Sequence, residues 1–256
     1  MRALSCYFLG RRPYGVVHRL MQELVVARQR DQIADTLLLL EHEAVITFGR
    51  GGKREHLLAS SERLAELGVE VETTGRGGDV TLHAPGQLVA YPSLNLAPDR
   101  QDVRRYVGDL TRVMNGLLEP YGVQGGTMSG MIGLWVDAAE PGRFAGESSL
   151  VEPRKIGAIG VRISRWVTSH GFALNLTTDL DLFQLIVPCG ISTHGVTSLE
   201  QLSGKRLEVR AAAEQAAALF CRHFERAGDA LRDVSGLDEE ALGGVLLGVG
   251  ASTSGV

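Results

Sequence analysis

Four strand-like segments follow one another in the middle of the sequence, with no helix-like segment between them. They are apolar or alternating runs at residues 132–136, 155–163, 166–176 and 185–187. Parallel neighbouring strands need a long crossover, usually a helix, whereas antiparallel strands are joined by short turns. This run of strands therefore favours an α+β fold, with mixed or antiparallel β-sheets and flanking helices, over a doubly wound parallel sheet.

Apolar residues at helical spacing are concentrated toward the two ends of the chain. They predict helices near 16–25, 57–67, 103–117, 209–224 and 237–247, and further strands are predicted near 36–40, 44–48, 69–71 and 80–90. Because 44% of the 256 residues are hydrophobic and no segment resembles a linker, we expect one catalytic domain at 1–235. Residues 236–256 are expected to form a C-terminal helix and a disordered tail.

The composition argues against several kinds of partner. The formal net charge is −4 and the arginines are scattered between acidic residues, so no nucleic-acid surface is expected. Residues 1–12 lack the features of a signal peptide, and no apolar stretch is long enough to span a membrane. The three cysteines, Cys6, Cys189 and Cys221, are far apart and odd in number. This pattern favours free thiols in a reducing, cytoplasmic compartment.

Cys189 is the candidate nucleophile. In the sequence PCGI it follows the apolar run 185–187, which predicts a position at a strand end beside Gly190, where a ligand can approach the backbone closely. A buried structural cysteine is the alternative interpretation, because this residue type is often buried. Cys6 is near the terminus and Cys221 lies in a predicted helix beside phenylalanines, so both are weaker candidates.

A cysteine nucleophile needs a neighbouring base or cation, because an ordinary thiol is mostly protonated at neutral pH. The candidates are Lys155, His83, His170 and His194. Lys155 begins an apolar strand, and a lysine can give up its proton when buried whereas an arginine cannot. The chain otherwise prefers arginine and has lysine only at positions 53, 155 and 205. Lys155 is therefore the preferred partner.

Two glycine-containing segments could bind a ligand through their backbone N–H groups. Residues 76–83, RGGDVTLH, continue into a strand that could line a channel, and residues 49–53 are equally ambiguous. Glycine pairs also form simple turns, and no Walker lysine follows either segment. The seven histidines include no HExxH motif, and CxxC is absent, so no metal site is expected.

Taken together, four blocks of this sequence resemble the lipoyl(octanoyl) transferase family, and the resemblance covers residues 37–202. The blocks are LLLLEH with VITFGR, RGGDVTLHAPGQLVAYPSLNL, KIGAIGVRISRWVTSHGFALNL, and IVPCGI with VTSL. Members of this family transfer octanoyl from octanoyl-acyl carrier protein to a lysine of lipoyl domains, which begins protein lipoylation. The acceptors are 2-oxoacid dehydrogenases and the glycine cleavage H protein.

The resemblance implies a catalytic pair, a substrate site and a fold. Cys189 would form the acyl-thioester and Lys155 would activate the thiol and shuttle protons. The residues that would contact substrate are Arg76, Gly77, Gly78, Asp79, Val80, Thr81, Leu82, His83, Ala158, Ile159, Gly160, Gly171, Phe172 and Ala173. The implied fold is that of the biotin and lipoate protein ligase catalytic domains, and a monomer without a cofactor is expected.

The sequence departs from the family pattern at a few positions. Glu43 and Ala44 follow His42 in place of a usual proline, and Leu82 and Ala84 replace a common tyrosine and glycine, which could alter the fit of the acyl chain. The stretch 137–154 is also longer than the pattern leads us to expect, and a loop over the site is one interpretation of it.

Three other functions remain open at this stage. An ATP-dependent lipoate or biotin ligase has this fold but forms an adenylate and needs no thiol at Cys189. A thioester hydrolase would pair Cys189 with His194 or His83 and use water as acceptor. A noncatalytic lipoyl- or acyl-binding module would leave the cysteine without a role.

Overall fold

A computed structural model describes residues 1–187 and 194–248. Within these ranges, nine strands form one large sheet and three form a small one. The strands are β1 (Arg2–Arg12), β2 (Asp35–His42), β3 (Val45–Phe48), β4 (Glu70–Thr73), β5 (Val80–His83), β6 (Gln87–Ser93), β7 (Gly125–Met128), β8 (Met131–Asp137), β9 (Pro153–Ser164), β10 (Val167–Asn175), β11 (Arg226–Gly228) and β12 (Arg232–Asp233). The helices are α1 (Tyr14–Gln29), α2 (Ser61–Glu66), α3 (Val103–Leu118), α4 (Leu199–Ser203), α5 (Val209–Phe224) and α6 (Glu239–Leu247).

The large sheet is mixed, as the run of strands in the sequence predicts. Its order is β11-β1-β2-β6-β10-β9-β8-β7, and β12 also pairs with β1. β1 runs parallel to β2, β11 and β12, whereas β2, β6, β10, β9, β8 and β7 pair antiparallel in turn. The small sheet has the order β4-β3-β5. The α+β prediction is confirmed.

Helices cover both faces of the large sheet. The four leucines of β2 have no solvent exposure and point alternately to the two faces. Leu37 and Leu39 belong to the cluster that α3 and α5 cover, whereas Leu38 and Leu40 belong to the cluster that α1 and α6 cover. A strand buried on both faces needs an unbroken apolar sequence, which explains the LLLL run.

Several segments differ from the sequence-based expectations, among them β7, β11, β12 and α4, for which no element was predicted. The N-terminal run forms β1, a strand inside the large sheet for which no element was predicted. The predicted strand at 185–187 is instead the end of a 3₁₀ helix, Leu180–Leu185, followed by an isolated bridge between Ile186 and Leu57. That bridge also explains why the predicted helix at 57–67 shrinks to α2, which begins where the Ser60 side chain accepts a hydrogen bond from Arg63 N.

The C-terminal helix packs against the first helix of the chain. Leu242 and Leu246 of α6 are buried in the same cluster as Leu20 and Leu24 of α1. Residues 249–256, in which the tail is expected, lie outside the described residues. No helix in the described ranges is long and apolar enough to cross a bilayer.

Candidate active site

A cavity of about 410 Å³ lies between the small sheet, strands β9 and β10, helix α3 and the β7–β8 hairpin. We call it the main cavity. Its lining residues are Tyr14, Arg76, Gly77, Gly78, Asp79, Thr81, His83, Tyr91, Val103, Val107, Gly130, Met131, Ile132, Ala158, Ile159, Gly160, Val161, His170, Gly171, Phe172 and Ala173. Most of this surface is apolar, so the cavity suits a hydrocarbon group better than a charged one.

The predicted substrate-binding segments meet at this cavity. All of the predicted residues in 158–160 and 171–173 line it, as do Arg76, Asp79 and their two intervening glycines. Within β5, Thr81 and His83 face the cavity, whereas Val80 and Leu82 do not line it. Those two are fully buried in the cluster around α2, because successive strand residues point to opposite faces.

The glycine loop at 76–78 is held from two sides. Gly51 N donates to Gly78 O at 3.0 Å, and Gly77 N donates to Val161 O at 2.9 Å. A Cβ atom added at Gly160 would lie 3.2 Å from Gly77 O, so a glycine on β9 lets the loop approach this closely. The segment 49–53, ambiguous in the sequence, therefore supports the glycine loop.

The buried Arg76 guanidinium stabilises the backbone beneath this loop. It donates to Thr47 O at 2.6 Å, to Thr47 Oγ1 at 2.9 Å and to Gly77 O at 3.1 Å. A guanidinium with five donors in a fixed geometry can bond several backbone oxygens at once. Arg76 thereby connects β3 of the small sheet to the cavity wall.

A cluster of imidazole and phenol rings surrounds one end of the main cavity. We call these five residues the ring cluster: Tyr14, His42, His83, Tyr91 and His170. The ring centroids of Tyr14 and His42 are 5.1 Å apart, those of His42 and His83 5.6 Å, and those of Tyr91 and His170 6.1 Å. His42 Nε2 lies 3.0 Å from the Tyr91 hydroxyl, and His83 Nδ1 lies 2.8 Å from Gln87 Oε1.

Burial keeps these histidines neutral. Desolvation lowers the pKa of His42 to about 4. Desolvation, assisted by the neighbouring His42, lowers the pKa of His83 to about 3. Desolvation and the nearby His18 lower the pKa of His170 to about 3. At neutral pH the ring cluster is therefore an uncharged wall compatible with an apolar ligand.

Lys155 lies beside the main cavity in a small adjoining space of about 20 Å³. Thr81, Ala158 and Ala173 line both spaces, so the lysine is next to the wall of the main cavity. The residue is 6% exposed, and its Nζ lies 5.7 Å from the centroid of the Trp135 ring. A Cβ at Gly133 would lie 2.5 Å from Lys155 Cε, so this glycine leaves room for the lysine.

The backbone of Lys155 holds the chain that follows the PCGI motif. Lys155 N donates to Gly195 O at 3.0 Å, and Thr197 N donates to Lys155 O at 3.0 Å. His194, an alternative partner for the thiol, packs edge-on against Trp135 with ring centroids 5.6 Å apart. Cys189 itself lies outside the described residues, so its pairing with Lys155 stays a prediction.

His56 and Asp79 form a contact that sequence reasoning did not identify. The His56 Nδ1 atom hydrogen-bonds an Asp79 carboxylate oxygen, and Asp79 Oδ1 accepts from Lys53 N at 3.0 Å. On its other side, His56 O accepts from Val187 N at 2.8 Å. One residue thus connects the glycine loop to the chain immediately before the PCGI motif.

The other residues missed by sequence reasoning reach the cavity from distant elements. Val103 and Val107 come from α3, and Met131 and Ile132 come from the tip of the β7–β8 hairpin. In the sequence they are ordinary apolar positions of a helix and a strand. Only the spatial arrangement of those elements identifies them as cavity wall.

No group of three metal-ligating side chains occurs within residues 1–187 and 194–248.

The two described cysteines, Cys6 and Cys221, are poor nucleophiles. Burial raises the pKa of the Cys6 thiol to about 12, with a further contribution from Cys221. Burial also raises the pKa of Cys221. Both side chains are thus protonated at neutral pH and unsuited to attack a carbonyl.

Comparison with solved structures agrees with this architecture. A lipoate-protein ligase A bound with ATP superposes with a TM-score of 0.68 at 13% identity, covering 99% of this chain and 97% of that one. A bipartite lipoate protein ligase from Thermoplasma acidophilum, described with its E2 lipoyl domain, gives 0.67 at 13% identity, covering 99% and 94%. At these identities the likeness shows the fold alone.

Sequence comparison identifies the family to which this chain belongs. The model for the lipoyl protein ligase A/B catalytic domain matches residues 13–221. An octanoyltransferase of Solibacter usitatus is 45% identical over 229 residues, which cover 90% of this chain and 94% of the relative. The chain belongs to the octanoyltransferase family. The resemblance noted from the four sequence blocks is confirmed, and membership makes the chain an acyltransferase.

Two further octanoyltransferases extend the comparison. That of Chloroflexus aggregans is 42% identical over 226 residues, covering 88% of this chain and 96% of the relative. That of Myxococcus xanthus is 45% identical over 225 residues, covering 88% of this chain and 60% of the relative. The chain thus spans nearly the full length of two of these family members and about three fifths of the third.

Proposed function

We propose that this enzyme transfers octanoyl from octanoyl-acyl carrier protein to a lysine of a lipoyl domain, through a thioester on Cys189. The observation that carries the proposal is an apolar cavity of about 410 Å³ that ends beside a buried lysine. The names of the octanoyltransferase relatives support octanoyl as the transferred group and acyl transfer as the reaction.

The dimensions of the main cavity suit an acyl chain of this length. Its wall on β9 extends from Ala158, next to the space around Lys155, to Val161, next to His170. Three residues of an extended strand span about 10 Å, comparable to an extended octanoyl chain. Burying the chain stabilises the complex by roughly 0.8 kcal/mol for each methylene removed from water.

The described residues on either side of the PCGI motif support a Cys189 thioester beside the main cavity. Cys189 follows Val187 by two residues, which limits the separation of their Cα atoms to about 7 Å. Val187 is hydrogen-bonded to His56, whose side chain contacts the cavity residue Asp79. After the PCGI motif the chain returns to Gly195, which is hydrogen-bonded to Lys155. A thioester on Cys189 with its acyl chain in the main cavity is compatible with both attachments.

The first step is transfer of the acyl group to the enzyme. Lys155 accepts the proton of the Cys189 thiol, and the thiolate attacks the thioester carbonyl of the donor. The bond between the carbonyl carbon and the carrier's sulfur breaks, and the carrier's thiolate takes the proton from Lys155. The oxyanion of the tetrahedral intermediate needs hydrogen-bond donors that are not already in use; the N–H groups of Gly51 and Gly77 donate to backbone oxygens and do not meet this condition.

The second step releases the acyl group to the acceptor. Lys155 accepts a proton from the lysine of the lipoyl domain, whose neutral amine attacks the Cys189 thioester. The bond to the cysteine sulfur breaks as the amide forms, and the amide nitrogen gives its second proton to the departing thiolate. Lys155 then releases the first proton to solvent. An amide is more stable than a thioester, so the step needs no ATP.

The proposal is tested by measuring octanoyl transfer from the carrier protein to a lipoyl domain without ATP. We expect full activity without ATP, parallel lines in double-reciprocal plots, and no transfer by a folded Cys189→Ser variant. An ATP requirement would instead indicate a ligase. Release of free octanoate without acceptor, as fast as transfer, would indicate a hydrolase, and binding without turnover would indicate a noncatalytic module.

A further inference from the structure

The long segment between β8 and β9 is anchored at both of its ends. Both ends are closed by the buried Asp137 carboxylate, which accepts hydrogen bonds from Val151 N at 2.8 Å, Glu152 N at 3.0 Å and Ala139 N at 3.1 Å. Ala138 N also donates to Glu152 O at 2.9 Å. These contacts close residues 138–152 into a loop with a defined base. We call this loop the 138–152 segment.

The 138–152 segment packs against β7, the strand at one edge of the large sheet. The Phe144 ring lies directly over Gly126, where an added Cβ would come 2.1 Å from the ring. Gln124 N donates to Pro141 O at 2.8 Å just before the strand. At the other end of the strand, Glu147 Oε2 accepts a hydrogen bond from Ser129 N in the hairpin turn at 2.9 Å. The segment therefore contacts the hairpin at its base, middle and turn.

The tip of the same hairpin forms one side of the main cavity. Gly130, Met131 and Ile132 line the cavity together with Val103 and Val107 of α3. Ile132 is 64% exposed and Val103 is 47% exposed, so this side of the cavity borders solvent. Because this side of the wall is largely exposed, its position depends on the contacts that support the β7–β8 hairpin.

We infer that the 138–152 segment determines acyl-chain selectivity by fixing the β7–β8 hairpin against the main cavity. Phe144 and Glu147 are its positioning residues: they touch the hairpin and not the acyl chain. The inference rests on the proposed function, because it assumes that the main cavity holds the acyl group. The inference gives the stretch 137–154 a role: the 138–152 segment supports the hairpin whose tip forms one side of the main cavity.

The hairpin tip can move only at the cost of the contacts that hold it. An acyl chain longer than octanoyl needs more room, and the side of the main cavity that can move to provide it is the one that borders solvent at Met131 and Ile132. With the 138–152 segment in place, this movement breaks the Phe144 packing and the Glu147 hydrogen bond. Without those contacts the tip can move at lower cost, so longer chains should be transferred more readily while octanoyl is little affected.

The test compares kcat/KM for octanoyl and dodecanoyl carrier protein in Phe144→Ala, Glu147→Ala and the wild type. We expect the ratio of dodecanoyl to octanoyl transfer to rise by about fivefold or more in Phe144→Ala and by less in Glu147→Ala. Phe144→Leu should restore part of the wild-type ratio. Octanoyl kcat should stay within about twofold of the wild-type value, because no group near the reacting atoms changes.

Arg143→Ala is the matched control, since Arg143 is exposed and its ion pair is with Glu140 of the same segment. Its ratio should equal the wild-type ratio. An unchanged ratio in folded Phe144→Ala, or an equal loss of rate for both chain lengths, would overturn the inference. If Phe144→Ala fails to fold, the exposed Glu147→Ala decides alone, and no change in its ratio rejects the role. Wild-type enzyme that transfers no octanoyl would reject the proposed function instead.

Discussion

Lys155 combines burial with a position beside an apolar cavity, in a chain that otherwise uses arginine. Its side chain contacts the Trp135 ring and is given room by Gly133. A lysine can lose and regain a proton, whereas an arginine remains charged. At the scale of the single residue, this difference separates a proton-transfer role from a purely electrostatic one.

Lys155→Arg should therefore retain the positive charge and lose most of the turnover. We expect kcat to fall by about 100-fold or more, in the range typical of losing a positioned acid or base. The check is the rate of octanoyl transfer by a variant whose thermal unfolding matches the wild type. Lys205→Arg, at an exposed site, is the control and should be fully active. A near-normal rate for Lys155→Arg would reject the proton shuttle.

Strand β2 shows how a single element connects the two halves of the core. Its leucines contribute to the clusters on both faces of the large sheet. Leu38→Ala should lower the free energy of unfolding by about 2–5 kcal/mol, because the substitution leaves a cavity in a fully buried site. Denaturant unfolding would measure this loss. Leu58→Ala, at a site 61% exposed, should change stability by less than about 0.5 kcal/mol, and equal losses would contradict this view of the core.

Elements with a strong local pattern were predictable from the sequence. The amphipathic helices α1, α3 and α5 and the doubly buried strand β2 carry their signal in the spacing of apolar residues. The strand predicted at 185–187 was wrong because an apolar run does not distinguish a strand from a 3₁₀ turn that pairs with a remote loop. β1 was not predicted, although its residues 6–9 form a buried apolar run. A short run of this kind does not reveal that the strand pairs with β11 and β12 near the other end of the chain.

The residues of the candidate site fall into two similar groups: those in contiguous sequence motifs and those brought together only by packing. Residues within contiguous motifs, such as 76–79 and 158–160, were predicted and do line the main cavity. The walls supplied by α3 and by the β7–β8 hairpin, and the contact of His56 with Asp79, depend on long-range packing. Apolar residues carry no mark in the sequence that distinguishes a cavity wall from the core.

At the scale of the whole molecule, the buried histidines make stability depend on pH. In the unfolded chain they bind a proton below about pH 6.5, whereas in the folded protein the pKa is about 4 for His42 and about 3 for His83 and His170. Between these values the unfolded chain binds more protons, so the free energy of unfolding falls as the pH falls. Each histidine contributes up to about 1.4 kcal/mol per pH unit.

Denaturant unfolding between pH 7 and pH 4.5 would measure this loss of stability. His170→Asn should reduce the slope, because asparagine does not titrate and tolerates the positive φ of 54° at this position. His223→Asn, at the surface end of α5, is the comparison, and its slope should remain closer to that of the wild type. Stability that stays constant or rises as the pH falls to 4.5 would contradict neutral, buried histidines in the ring cluster.

The thioester mechanism is tested by intact-mass spectrometry of the enzyme after incubation with octanoyl-acyl carrier protein and no ATP. This mechanism predicts one added octanoyl group that hydroxylamine removes and that peptide mapping assigns to Cys189. The group should disappear from the enzyme when a lipoyl domain is added and becomes octanoylated. An enzyme that stays unmodified under these conditions, yet octanoylates the lipoyl domain once free octanoate and ATP are supplied, would contradict this mechanism.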